Sequence, residues 1–332
     1  MKHLPYLLLL SLLLPLCLSG NPTERRRESF RQLQQMVDSG RPEALFAMAR
    51  LLEDGNDLVD KDSLRALALY TQAADSAYPP ALNYLGYIYF NGLMGQDTDP
   101  DKGLRLIEEA AMKGDLSAAA NLGWLLSQKG TSVKQDTDKA LYWLGKAAQS
   151  GSYLPLEAMA DIYMQSGDTL RSEECLEEAV MRGSVKSAPL LLQLREEEYA
   201  AMSPDSLMQT ALRYYHGSAP LMGVLLMEKI LDRPDTSSHD RALTLAIRGQ
   251  LMSQGYLLPY DYQQSLRLFL EAAILGNPSA QFIVAETLDL TPDAFEEYGI
   301  KEEEKLTAEE WRQLATEGGI TDSRSALLPL LP

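Results

Sequence analysis

Three alanines, Ala74, Ala111 and Ala148, stand thirty-seven residues apart, and each follows another alanine, at Ala73, Ala110 and Ala147. No feature constrains this chain more. A period of that length marks supersecondary units that bury their apolar faces only by stacking on a neighbour. The usual inference from 332 residues to one or two ordinary domains therefore gives way to a stack whose length is set by repeat number.

Each unit reads as two amphipathic helices. In the stretch Ser117 to Gly151, Ala118, Leu122, Gly123 and Leu126 lie at helical spacing, as do Ala140, Trp143, Leu144, Ala147 and Ala148. Small residues, Ala118 and Gly123 on the first helix and Ala147 and Ala148 on the second, allow helix axes to approach closely. Asp136 is placed to cap the second helix and Gly151 to stop it. The same plan runs one unit earlier through Ala81, Leu85, Gly86, Tyr89 and Gly92, then Asp99, Lys102, Gly103, Leu106, Ala110, Ala111 and Gly114. It runs before that through Ala44, Met48, Ala49, Leu52 and Gly55, then Asp62, Arg65, Ala66, Leu69, Ala73 and Ala74.

With the helix pattern A-x-x-x-L-G-x-x-Y-x-x-G intact from Ala81 to Gly92, the chain resembles a Sel1-like repeat protein, a relative of the tetratricopeptide family. The second half of the family motif stands as Val133, Asp136, Lys139, Ala140, Trp143, Lys146, Ala147 and Ala148, with Gly151 one residue out of register. The resemblance covers residues 42–183 and again 242–291. It implies an all-α, right-handed α-solenoid of helix hairpins and a non-catalytic adaptor or scaffold of the cell envelope, as in bacteria. A eukaryotic secretory-pathway adaptor in protein quality control suits the same signal segment.

Taken in order, residues 1–20 carry Lys2, a leucine-rich run from Leu7 to Leu14 and a closing Pro15-Leu16-Cys17-Leu18-Ser19-Gly20. The apolar core is too short to span a bilayer and is followed by small residues suited to a peptidase, so it reads as an export signal. Two fates stay open. Cleavage near Ser19 or Gly20 releases a soluble chain; lipidation at Cys17 leaves an anchored one, although Leu16 fills a place where that motif wants a small residue. The expected location is periplasmic, cell-surface or secreted. Residues 21–41 read as an N-terminal capping helix centred on Ser29 to Val37, and 42–183 as four repeats, the last with a shortened loop. Residues 184–240 read as an irregular helical region with helices near 186–198, 204–216 and 218–232. Residues 241–332 read as two further repeats, the second helix of the last carrying Trp311, Leu314 and Ala315, followed by a C-terminal cap.

The net charge of −17 and the lack of a basic stripe argue against nucleic acid and anionic membrane as partners, leaving a membrane contact only through an N-terminal lipid. Catalysis has little to work with. There is no G-x-S-x-G elbow, no S-x-x-K pair and no phosphate-cradling glycine loop, so no cofactor is expected. His216 and His239 stand apart from other metal-ligating residues, and no metal is expected. Asp97, Asp99, Asp101 and Glu108 imitate the carboxylate spacing of a calcium loop, but Lys102 occupies the place of the obligatory glycine, and helix capping by Asp99 explains the pattern. Cys175 aligns with Trp143 and Leu106 and reads as a buried thiol. The paired cysteines of some secreted relatives, linked to β-lactam binding or hydrolysis, have no counterpart here.

Aligning the units on residues 49, 86, 123, 160 and 249 yields two columns four residues apart, on one face of the first helix. One column is Arg50, Tyr87, Trp124, Asp161 and Gln250; the other is Asp54, Asn91, Gln128, Gln165 and Gln254. By the resemblance, first helices line the concave surface, so these residues form a ladder able to read a partner peptide or helix, with Tyr87 and Trp124 as anchors. Two alternatives are an envelope enzyme acting on peptidoglycan or β-lactam-like substrates, and a glycan- or peptide-binding module.

Overall fold

Asp62, Asp99 and Asp136, thirty-seven residues apart, share one backbone conformation, and each accepts a hydrogen bond from the backbone N–H three residues on, at 3.0, 2.9 and 3.1 Å. Each opens the second helix of a hairpin, satisfying an N–H that has no partner inside the helix. The structure is a computed structural model that describes residues 22–129, 132–291 and 306–332, and among the described residues there are helices and turns but no strands. Contacts divide the chain into two units, Met1–Asp168 and Thr169–Pro332.

In the N-terminal unit, helix α1 (Pro22–Asp38) packs on α2 (Pro42–Asp54) through Leu33, with Phe30, Met36 and Val37 partly buried. Hairpins follow: α2 with α3 (Ser63–Asp75), α4 (Pro79–Asn91) with α5 (Pro100–Met112), and α6 (Leu116–Ser127) with α7 (Thr137–Ala147). Helix α8 (Leu154–Ser166) closes the unit. The turn after each second helix has positive φ at the same phase: Gly40, Ala77, Gly114 and Gly151. The hairpin expected over 154–183 is divided, since the boundary between the units falls after α8.

Within a hairpin the two backbones nearly touch. A Cβ placed on Gly86 would stand 2.8 Å from the Gly103 carbonyl and 2.7 Å from Ile107 Cγ1, and one on Gly123 would stand 3.0 Å from the Ala140 carbonyl. The first hairpin holds Ala49 and Ala66 at the matching positions, both without exposed surface. The approach places Ile88, Ile107, Leu122 and Leu144 in the interior.

The C-terminal unit contains α9 (Thr169–Met181), α10 (Ser187–Leu194), α11 (Glu196–Ala201), α12 (Pro204–Tyr215), α13 (Pro220–Leu231), α14 (Ser238–Gln254), α15 (Tyr262–Ile274), α16 (Pro278–Leu290), α17 (Ala308–Glu317) and α18 (Ser323–Leu327). The expected helix over 186–198 is two helices, broken at Arg195, whose guanidinium bonds Glu173 and Glu177 on α9. Helices α14 and α15 form a hairpin, as do α16 and α17, with Trp311 and Ala315 buried and Leu314 partly exposed. Cys175 is buried, and burial pushes its thiol up to about 11.

The stretch expected to be irregular holds one more hairpin of the repeat kind. Helices α12 and α13 pack together, and a Cβ on Gly223 would stand 2.6 Å from both the Ala211 carbonyl and the Tyr215 nitrogen. Gly103 meets Gly86 and Phe90 in the same way, its added Cβ 2.7 Å from the Gly86 carbonyl and the Phe90 nitrogen. Ala211, Tyr214, Tyr215 and Gly217 therefore stand where Gly86, Tyr89, Phe90 and Gly92 stand. The two contact residues are only twelve positions apart instead of seventeen, so the shortened connection hides the period.

The close approach predicts opposite outcomes at two helical glycines. Gly86→Ala should lower stability by about 1–3 kcal/mol through overpacking. Gly145→Ala, where nothing lies within 4 Å, should raise it by up to about 1 kcal/mol through helix propensity. Urea unfolding of both variants checks the pair.

Candidate partner-binding face

In the N-terminal unit the first helices α2, α4, α6 and α8 carry the ladder at Arg50/Asp54, Tyr87/Asn91, Trp124/Gln128 and Asp161/Gln165. Tyr87 is 48% exposed and Trp124 54% exposed, although both sit on helices that contribute Leu85, Ile88, Leu122 and Leu125 to the core. Asp54, Asn91, Asp161 and Gln165 are exposed. The Asn91 amide donates back to the Tyr87 carbonyl at 2.9 Å. Gln128 follows the last residue of α6 and is half-buried, its amide donating to Ser127 Oγ at 3.2 Å. Between neighbouring first helices, Asn121 donates to Asn83 at 3.0 Å.

A polar knot lies behind the first two rungs. The Glu53 carboxylate on α2 accepts hydrogen bonds from Tyr70 Oη on α3 at 2.8 Å and from Tyr84 Oη on α4 at 2.5 Å, and pairs with Arg50 at 3.1 Å. The Arg50 guanidinium sits 4.7 Å from the centre of the Tyr84 ring, and that ring is 6.2 Å from Tyr87. Tyr70 and Tyr84 also meet at 4.7 Å, and Phe46 packs edge-on to Tyr84. One carboxylate thus ties the first hairpin to the second and orients the side chains that flank Tyr87. Sequence reading missed Glu53, Tyr70 and Tyr84; the signal available was the concentration of Phe46, Tyr70, Tyr78, Tyr84 and Tyr87 in two repeats. Burial, then the hydrogen bond to Glu53, holds the Tyr70 and Tyr84 phenols well above the usual phenol range.

One part of the sequence reading changes. Gln250 is 5% exposed and does not belong to an open face. Helix α14 is flanked by α13, α15 and the turn Leu328–Leu330, and of its two ladder residues only Gln254, at its end, is exposed. Cys17 and the export segment lie outside the described residues. His216 and His239 are exposed, His216 with its ring 5.1 Å from Tyr215, and the described residues hold no cluster of metal-ligating side chains. Asp99 caps α5 as expected of it. No helix among the described residues is long and apolar enough to cross a membrane.

Glu53→Ala should cost about 1–3 kcal/mol in urea unfolding, because the hydroxyl of fully buried Tyr70 loses its acceptor; Glu53→Gln should cost less. Both phenols are raised in the folded chain, so their contribution to stability is complete below the ordinary phenol value near 10. It is lost as the pH climbs through the raised range. Phenolate absorbance during alkaline titration should therefore show Tyr70 and Tyr84 ionising only with unfolding.

The Sel1 repeat family model matches residues 42–78, 79–115, 116–152 and 245–277. A search of the curated proteins finds no match. Among solved structures, one similar protein is c5321, described as a protective antigen present in uropathogenic Escherichia coli strains and displaying an SLR fold. It is 25% identical at a TM-score of 0.46, with 90% of this chain and 58% of that one covered. The chain thus spans 58% of the length of that relative. A Sel1 repeat protein from Oxalobacter formigenes is 18% identical at a TM-score of 0.43, covering 87% of this chain and 99% of that one. The immunity protein Pa5087 from Pseudomonas aeruginosa is 15% identical at 0.33, covering 87% and 84%.

Proposed function

Since this chain is a Sel1-repeat protein, and Sel1-repeat proteins are generally non-catalytic scaffolds for protein interaction, we propose that its N-terminal unit holds a segment of a partner protein on the ladder face. The observation that carries the reading is the half exposure of Tyr87 and Trp124, two large rings at equivalent positions of successive first helices. Binding energy concentrates in such residues when a partner desolvates them.

The surroundings favour a basic segment. Arg50 is neutralised by Glu53, while Glu43 and Asp54 are exposed at the same end of the face. A Lys or Arg of the partner gains from these carboxylates and from the open faces of the rings. The role is that of an adaptor of the cell envelope, outside the cytosol, in keeping with the leucine-rich segment at residues 1–20.

A photo-crosslinking residue at Trp124 should capture one protein in the native host, and the same residue at Lys146, exposed on α7, should not. Capture should fall about tenfold or more with Tyr87→Ala, and should weaken with added salt as the charges are screened. Equal capture from both positions would sink the proposal, as would capture that survives Tyr87→Ala. A glycan recovered instead of a protein would favour a sugar-binding module. Deleting residues 2–20 should leave the chain in the cytosolic fraction, and fatty-acid labelling that is lost in Cys17→Ser would choose the anchored form over the soluble one.

A further inference from the structure

Residues 323–332 make a contact that a nearest-neighbour stack does not require. After α17 the chain turns through Asp322, which caps α18, and places Ala326 against Phe282 and Ala315 of the last hairpin. The turn Leu328–Leu330 then reaches back to α14 and α12. Leu330 is fully buried, and its carbonyl accepts a 2.7 Å hydrogen bond from Tyr215 Oη. Tyr215 lies on the first helix of the α12–α13 hairpin, two hairpins before α16–α17, and the segment reaches it alongside α14 of the hairpin between. In a stack whose units touch only their neighbours, each interface flexes and frays by itself. This contact joins three hairpins at one stroke.

The segment's own hold is small. Leu328, Pro329 and Pro332 are exposed and α18 has five residues, so the buried Ala326 and Leu330, the half-buried Leu327 and Leu331 and one tertiary hydrogen bond fasten it. Segments with so few buried side chains open at lower free energy than the helices they lie on. Its seat is different: Tyr215 is buried, with α12 pressed backbone to backbone on α13.

We propose that residues 323–332 are a releasable clasp: an intramolecular ligand whose Leu328–Leu330 turn fills a seat between α12 and α14 and locks three hairpins until it is displaced. The seat recognises a leucine side chain and the carbonyl beside it, the latter through the Tyr215 hydroxyl. Its occupant in the closed state is this chain's own Leu330.

The test uses the full chain and a fluorescent peptide of sequence DSRSALLPLLP, residues 322–332. Leu330→Asp expels the clasp, since an unpaired carboxylate is not tolerated where Leu330 sits. Fluorescence anisotropy should show saturable binding of the peptide to Leu330→Asp, and at least tenfold weaker binding to the unaltered chain, whose seat is filled in cis at high effective concentration. Adding Tyr215→Phe to Leu330→Asp should weaken binding about tenfold, as loss of one buried hydrogen bond does. Hydrogen exchange should show faster exchange at the C-terminal ends of α12 and α14 in Leu330→Asp, with protection kept in α13 and α15. A folded Leu330→Asp chain that does not bind the peptide would overturn the proposal. So would loss of protection throughout α12–α17 in that variant, because the segment would then be core and not clasp. Neither outcome bears on the N-terminal ladder, whose crosslinking test is separate.

Discussion

The architecture depends on one steric fact, the near contact of two helix backbones inside each hairpin. Gly86 against Gly103, and Gly123 against Ala140, bring peptide groups within a distance that leaves no room for larger side chains. Ile107 closes over Gly86 and Leu144 over Gly123, and with Ile88 and Leu122 they are buried in the interior. Stacking follows from pairing. Burial of apolar surface supplies the driving force, but the small residues decide which surfaces can meet.

On that frame, polar groups set the finer geometry. Glu53 is the clearest case: a carboxylate shared by two phenols and a guanidinium from three helices. Hydrogen bonds of this kind contribute little net stability in water, yet a buried donor without an acceptor is costly, so the group holds one arrangement against others. The consequence reaches the surface, since Tyr84 and Arg50 stand beside Tyr87 and fix what a partner would meet there. The C-terminal unit uses a related device, with Tyr215 bonding a backbone carbonyl in place of a carboxylate.

Much of this was legible in the residues. The capping aspartates at 62, 99 and 136, the turn residues at 114 and 151 and the small pairs recur at a fixed period, and local chemistry of that kind is written in sequence neighbours. The exposure of Tyr87 and Trp124 agrees with their phase on the helix. The α12–α13 hairpin was not legible, because losing five residues between its contact points breaks the period while leaving the packing intact. Gln250 was misplaced for another reason: its phase matches Tyr87, but it is buried, and α14 contacts the turn Leu328–Leu330, which no periodicity records.

Over residues 42–152 the sequence by itself determined the helices, their ends and their pairing, because each of these rests on spacing within some forty residues and on side chains whose shape permits only one local answer. The tertiary structure alone decided which members of a column stay open and which are covered. It also decided that Glu53 gathers Tyr70 and Tyr84, and that Leu330 returns to Tyr215 across 115 positions. Such contacts depend on how whole hairpins accumulate in space, and no local pattern encodes a distance summed over several of them.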